Sequence, residues 1–225
     1  MSAHGSDAPM AGLADASPGL LMVMMEPPAA LEDEFNDWYD TEHFPQRAAL
    51  PGFVSASRWV CVDGWPKWLA LYELTSPAAL RSPAYLAVSG RNGTPWSKRV
   101  LPKTTGRRRI VASAIGPHDA PRAGSDAPSF LTLVGWSAGD DAAARRVASV
   151  LRDSLAESAA AESFRAFVAP SRGALHAWAL IGAASPAKDE RARAAATRVL
   201  EAERVHLMNR YVPYVRAGSE YSDGA

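Results

Sequence analysis

The run Phe35-Asn36-Asp37-Trp38-Tyr39-Asp40-Thr41-Glu42-His43-Phe44-Pro45, closed by Leu50-Pro51-Gly52-Phe53, constrains this chain more than any other stretch. It crowds aromatics, acids and a histidine into one helix-length segment. Projected at about 100° per residue, Leu31, Phe35, Trp38 and Glu42 fall in one narrow arc, with Tyr39 and His43 on its flank and Asp33, Asp37 and Phe44 on the far side. A core-facing stripe therefore carries a carboxylate in its middle. An ionised carboxylate is costly to bury unless it is paired or gives up its charge, so Glu42 is expected to be buried and hydrogen-bonded. Pro45 disfavours helical geometry at Phe44, which puts Glu42 and His43 in the last turn. There the helix dipole favours a cationic imidazole and not a glutamate.

The segments around this helix define an order of elements. Gly19 to Glu26 (GLLMVMME) is a continuous apolar run of strand length, ended by Pro27-Pro28. Phe53 to Val62 reads as a strand with Val54, Ala56, Val60 and Val62 on one face, interrupted by Arg58, and Phe53, Ser55, Ser57, Trp59 and Cys61 on the other. Asp63-Gly64 is a turn signal, and Lys67 to Leu74 is the return strand, with Trp68, Ala70, Tyr72 and Leu74 along one side. Ser76-Pro77 predicts a helix to about Val88, kinked or divided at Pro83. Gly90 to Lys103, with Trp96, reads as loop, and Arg107 to Ile115 as a fourth strand whose arginine run lies on a solvated edge. The order is βαββαβ, the ferredoxin-like arrangement of the α+β class.

The order then begins again beyond a Gly-, Pro- and Ala-rich linker. Phe130–Trp136 is strand-like, and Asp140–Glu157 is an amphipathic helix with Val147, Val150, Leu151 and Leu155 on its stripe. Phe164–Ala169 and Ala174–Ile181 form a hairpin, Pro186 to about Leu207 is a helix, and Tyr211–Arg216 is the closing strand. The expected organisation is a disordered tail over residues 1–17, a first unit over 18–115, a linker over 116–129, a second unit over 130–216 with almost no residue identity to the first, and a tail over 217–225.

The segment FNDWYDTEHFPQRAALPGF resembles the first-helix signature of the EthD-like branch of the dimeric α+β barrel superfamily, which reads roughly F-x-x-W-Y-x-x-E-H-x-P-x-R…P-G-F. The resemblance is dense over this helix, and the element order through Ile115 fits it. It implies open four-stranded sheets that bury their bare faces by pairing into a barrel. Two units in one chain would close that barrel internally, around a cavity to which only the first half contributes the signature. The superfamily holds monooxygenases, isomerases, cyclases and haem enzymes as well as proteins without assigned activity. Whether this chain is an enzyme is left open.

The candidate catalytic residues are His43, as base or orienting donor, with Tyr39 one turn before it and Glu42 as proton shuttle or fixed partner. The competing explanation makes His43 a helix-end residue, Glu42 a salt-bridge partner of Arg47 or Arg58, and Tyr39 a half-buried aromatic. Trp38, Arg58, Trp59, Trp68 and Tyr72 are the candidate substrate-binding residues, which either fill the barrel or line its pocket. They suit a small apolar or aromatic molecule carrying one or two oxygens. The resemblance implies cofactor-free proton-transfer or oxygenation chemistry; a non-catalytic binding, accessory or oligomerisation protein is the alternative.

Adjacent Glu42 and His43 point about 100° apart on a helix, and with no HExxH or CxxC pattern a metal site is disfavoured. No cofactor is expected, since haem, P-loop and dinucleotide signatures are lacking, and His176 reads as a strand residue. With 24 basic and 24 acidic residues the chain has no electrostatic footprint for nucleic acid or an anionic membrane. Its single cysteine, Cys61, excludes a disulfide framework. The apolar run Leu20–Met25 is too short for a signal peptide or a membrane span. A cytoplasmic protein, with homodimerisation possible, is the expectation.

Overall fold

In the computed structural model, which describes residues 17–116, 119, 127–171 and 173–215, the apolar run Gly19–Glu26 is strand β1. It is apolar throughout because both faces are covered: Leu20, Met22 and Met24 point one way, Leu21 and Met25 the other. A helical segment follows as α1 (Glu32–Trp38), a π-turn (Tyr39–His43) and α2 (Phe44–Ala48). Next come β2 (Phe53–Asp63), β3 (Trp68–Leu74), the short helices α3 (Pro83–Leu86) and α4 (Pro95–Val100), and β4 (Thr105–Ala114). The second half runs β5 (Phe130–Ala138), α5 (Asp141–Glu157), β6 (Ser163–Ser171), β7 (Ala174–Ala183), α6 (Pro186–Val199) and β8 (Val205–Pro213). The expected tails and most of the expected linker fall outside the described residues.

The eight strands close into one barrel in the order β1-β3-β2-β8-β5-β7-β6-β4. Each half repeats the ferredoxin-like βαββαβ order, and the tandem forms an α+β barrel. Two seams join the halves. At one, β2 meets β8 from Trp59↔Pro213 to Asp63↔Arg210; at the other, β4 meets β6 only at Ser113↔Val168 and Ala114↔Phe167.

Three apolar layers result. The barrel interior holds Leu20, Met22, Met24, Trp59, Leu69, Leu71, Leu131, Leu133, Phe167, Trp178 and Tyr211. Outside it, α5 and α6 cover the sheet of the second half, while α1 to α4 cover that of the first. Each layer removes large side chains from water, at roughly 1.5–3 kcal/mol for each Leu, Phe or Met fully buried.

Several local expectations are corrected. Gly90–Lys103 is not loop, because Thr94 caps α4 by accepting from the Ser97 N–H and Pro95 opens it, which places Trp96 on a helix. On α5 the buried stripe is Ala144, Ala148, Leu151 and Leu155, and Val150 is 55% exposed. The Arg107–Arg109 run pairs with β1 and lies beyond the short β6 contact at Ser113 and Ala114, and Arg107 and Arg109 are exposed as expected of a solvated edge, but Arg108 is not. Arg108 stands opposite Met24 and so shares the interior face of the barrel. A register shift between Phe53 and Ser55 turns Phe53 onto the helix-covered face with Ala56 and Val60.

Candidate functional site

The signature helix does not stop before Pro45. A proline has no N–H to give, and its ring collides with the carbonyl four residues back. The chain widens by one residue here: the Phe44 N–H bonds to the Tyr39 carbonyl, five residues back. The Thr41 hydroxyl takes up the Asp37 carbonyl at 2.6 Å. Such single π-turns change the phase of everything after them. Trp38 and His43, five apart and pointing well away from each other on an ideal helix, have ring centroids 4.4 Å apart, and Tyr39 lies 5.1 Å from His43. Phe44 is carried from the predicted far side onto the sheet, 5.9 Å from Tyr72.

Beneath the helix, β3 presents Trp68, Ala70 and Tyr72 and β2 presents Arg58, and the layer between helix and sheet is the candidate site. Arg58 is 7% exposed. It pairs with Asp40, donates to Asn36 Oδ1 at 2.8 Å, and lies 4.4 Å from the Tyr39 ring, 4.8 Å from Trp68 and 4.4 Å from Tyr214. The Tyr214 hydroxyl donates to Asp40 Oδ2 at 3.1 Å, so a residue just after β8 helps to wall a site built on the first half. Arg47, also buried, donates to the Val88 carbonyl at 2.7 Å and to Gln46.

Glu42 is half-buried and belongs to a different network. It accepts from the Thr94 hydroxyl at 2.5 Å; the Thr94 and Ser97 hydroxyls lie 2.9 Å apart, and Ser97 Oγ accepts from Trp38 Nε1 at 3.1 Å. Its partner is thus neither Arg47 nor Arg58. A relay of hydroxyls joins the carboxylate to the indole and fixes the Trp38 ring against which His43 packs.

Three buried polar atoms in the layer lack a hydrogen-bond partner of good geometry: His43 Nδ1, Tyr72 Oη and Trp68 Nε1. Burial pushes the His43 pKa down to about 3, with Arg47 and Arg58 acting in the same direction, so the imidazole is neutral. Burial raises the Tyr39 phenol, and raises Tyr72 well above its ordinary range with the nearby Tyr39 adding to it. The layer therefore holds a bare imidazole nitrogen, two neutral phenols and two guanidinium ions in an apolar setting.

The predicted residues do not all converge. His43, Tyr39, Trp38, Arg58, Trp68 and Tyr72 share the layer, and Glu42 reaches it through Thr94 and Ser97. Trp59 is on the opposite face of β2, inside the barrel, where its Nε1 donates to Ser57 Oγ at 2.9 Å. The barrel interior is filled by side chains, so the candidate site is the layer under the helix and not the expected cavity between the sheets. Asp40, Thr94, Ser97 and Tyr214 were not anticipated. Thr94-Pro95 repeats the cap signal already visible at Ser76-Pro77, whereas nothing local marks Asp40 or Tyr214. Among the described residues no three His, Cys, Asp or Glu side chains form a metal-ligand set, and no helix is long and apolar enough to cross a membrane.

No protein-family profile matches the chain, and no curated protein matches its sequence. Solved structures do match its fold. An anthrone oxidase-like protein superposes with a TM-score of 0.61 at 15% identity, covering 92% of this chain and 95% of that one. A heme-binding protein from Thermus thermophilus gives 0.54 at 8% identity, covering 88% and 92%. A chlorite dismutase from Candidatus Nitrospira defluvii gives 0.54 at 8% identity, covering 90% and 93%. At 8–15% identity these likenesses show the fold alone, an α+β barrel.

Haem does not fit the layer described here. Trp38, Tyr39, Trp68 and Tyr72, each at most 5% exposed, fill the space beside His43, whose Nδ1 is buried among them, and leave no opening of porphyrin size in the layer.

Proposed function

We propose that the chain binds a small, largely apolar organic molecule carrying a phenol or enol oxygen, in the layer between the signature helix and the sheet of the first half. One observation carries this: His43 Nδ1 and Trp68 Nε1 are buried without partners, and Tyr72 Oη, close to the Tyr39 hydroxyl, has no partner of good geometry, all beside Arg58 and Arg47. Each such atom costs about 1–3 kcal/mol when left unsatisfied, and a ligand oxygen aimed at the cluster relieves that cost. The layer is packed as it stands, so a ligand enters only as Phe44 and its neighbours move aside; Phe35, Trp38 and Phe44 would then hold the carbon skeleton, and the phenols of Tyr39 and Tyr72 would orient its oxygen.

The chemistry compatible with this arrangement is proton transfer from the ligand hydroxyl to His43 Nδ1, and because burial makes His43 a weak base the transfer requires an acidic enol or phenol whose oxyanion is stabilised as it forms. The ligand is left as an oxyanion held by the field of Arg58 and Arg47, which is the electron-rich form that dioxygen attacks without a cofactor. The anthrone oxidase-like neighbour agrees with this class of reaction. In this proposal Glu42 is a positioning residue acting on Trp38 through Thr94 and Ser97, and the EthD-like helix signature is the scaffold that aims His43.

A second reading, a binding or accessory protein without turnover, is favoured by the same depressed basicity of His43. A panel of small planar phenols and hydroxyquinones, screened by thermal shift and then by oxygen uptake, separates the two. Catalysis predicts stabilisation by a panel member and oxygen consumption lost in His43→Ala; binding alone predicts stabilisation without consumption. A ligand that stabilises wild type, His43→Ala and Tyr72→Phe equally would exclude this layer as the site.

A further inference from the structure

The second unusual cluster lies inside one end of the barrel, on the opposite side of the sheet from the site above. Between Gly135↔Leu207 and Trp136↔Val205 the register of β5 and β8 shifts, leaving His206 as an extra residue in β8. Such bulges re-aim a side chain. Here the imidazole turns toward the interior face, with its ring 4.5 Å from that of His176 on β7 and 5.0 Å from Trp178. Glycine at 135 is what permits this, since a Cβ there would stand 2.7 Å from His206 Nε2 and 2.6 Å from the Trp178 ring. Arg108, facing inward from β4, completes the end, and among the described residues it has no hydrogen-bond or ion-pair partner.

Both nitrogens of His206 are shielded from solvent and without partners. The charged and titratable groups acting on it are His176 from β7, Arg108 from β4 and Arg204 from the turn before β8, and all of them disfavour its protonation. A metal cation would meet two arginines there. A neutral imidazole needs one donor and one acceptor, whereas an imidazolium presents two donors. A bound oxyanion would draw on those donors and on the free guanidinium of Arg108 together.

We propose that the barrel end formed by Arg108, His176 and His206 binds a small oxyanion, the carboxylate or phosphate group of a soluble ligand, taken up together with a proton. The interior below it is filled by Met24, Trp178 and Leu207, so the anionic group enters and the rest of the ligand stays outside. Affinity therefore rises as pH falls toward and below neutrality.

The imidazole resonances, assigned with His176→Gln and His206→Gln, are followed by NMR in sodium benzoate, sodium phosphate or sodium chloride at matched ionic strength. The expected result is a saturable shift of the His176 and His206 signals with an oxyanion but not with chloride, and a rise of the His206 midpoint by about one pH unit or more. Arg108→Gln should weaken binding about tenfold with the thermal midpoint kept, as loss of a charge-assisted contact requires. Saturation by benzoate alone assigns a carboxylate ligand, and by phosphate alone a phosphate group. Equal, non-saturating responses to all three salts, or binding unchanged in Arg108→Gln, overturn the proposal. Because these signals report the barrel end and not the His43 layer, failure here leaves the function proposed above untouched.

Discussion

The rings of Trp38 and His43, five residues apart in one helical segment, have centroids 4.4 Å apart. On an uninterrupted α-helix they would point to different faces; the π-turn that accommodates Pro45 brings them together. If Pro45 is what holds the widened turn, Pro45→Ala should let it relax toward regular geometry and turn His43 and Phe44 away. We expect a changed near-ultraviolet circular dichroism signal from the Trp38 environment with helix content kept. An unaltered aromatic signal, with His43 still shielded in its NMR titration, would show that packing and not proline sets the turn.

Tyr72 gives the sharpest separation of stability from function. Its hydroxyl is buried without a good partner, so Tyr72→Phe removes an unsatisfied group and should be neutral or stabilising by up to about 1 kcal/mol in denaturant unfolding. The same change should weaken the phenolic ligand found by thermal shift. A clear loss of stability would mean that the hydroxyl is satisfied in the folded protein.

Arg58 should behave in the opposite way. Removing it leaves the poorly solvated Asp40 without its guanidinium partner, though still bonded to Tyr214, and empties an aromatic cage, and Arg58→Ala should destabilise by roughly 3–5 kcal/mol. Arg58→Lys should recover only part of this, because a lysine has no planar fork with which to reach Asp40 and Asn36 together. A loss under about 1 kcal/mol would indicate an exchange-averaged surface pair.

His43 sets a pH dependence whose sign follows from its neutral folded state. The unfolded chain binds a proton at His43 near the ordinary value of 6.5, whereas the folded chain does so only near 3. The unfolded state thus holds more protons in between, and stability falls as pH drops from about 6.5 toward 3. His206, pushed down to about 4, adds in the same direction. In His43→Phe the fall should be shallower than in wild type, with the two curves parallel above pH ~7. Parallel curves down to pH ~4 would mean that His43 titrates normally when folded.

The hydroxyl relay is testable by a double-mutant cycle. Ser97→Ala leaves the Trp38 indole N–H without its acceptor and should cost about 1–3 kcal/mol. Combined with Glu42→Gln, the two losses should fall short of additivity, since both act through Thr94. Strict additivity would mean that Glu42 does not reach Trp38.

How far the sequence foretold these relationships varies by residue. The strand parities were readable: Trp59 and Cys61 share one face of β2, and Trp68 and Tyr72 share one face of β3. Which face becomes the interior was not, because both faces of β1 and β3 are covered and therefore equally apolar. The helical projection was sound up to Trp38 and failed beyond it, since a fixed 100° step cannot contain a π-turn. Asp40 fell outside the stripe for that reason, although the buried Arg58 needed a carboxylate. Tyr214 could not be foreseen, because its contact with Asp40 spans the whole chain.

The two seams between β2 and β8 and between β4 and β6 belong to a single chain. When two identical copies pair across a twofold axis, every interface substitution is felt twice, and a change that suits one contact is imposed on its mirror. Here each substitution is felt once. The first half can thus carry Arg58 and its aromatic cage while the second carries Gly135 and the bulged His206, and neither half has to tolerate the other's inventions.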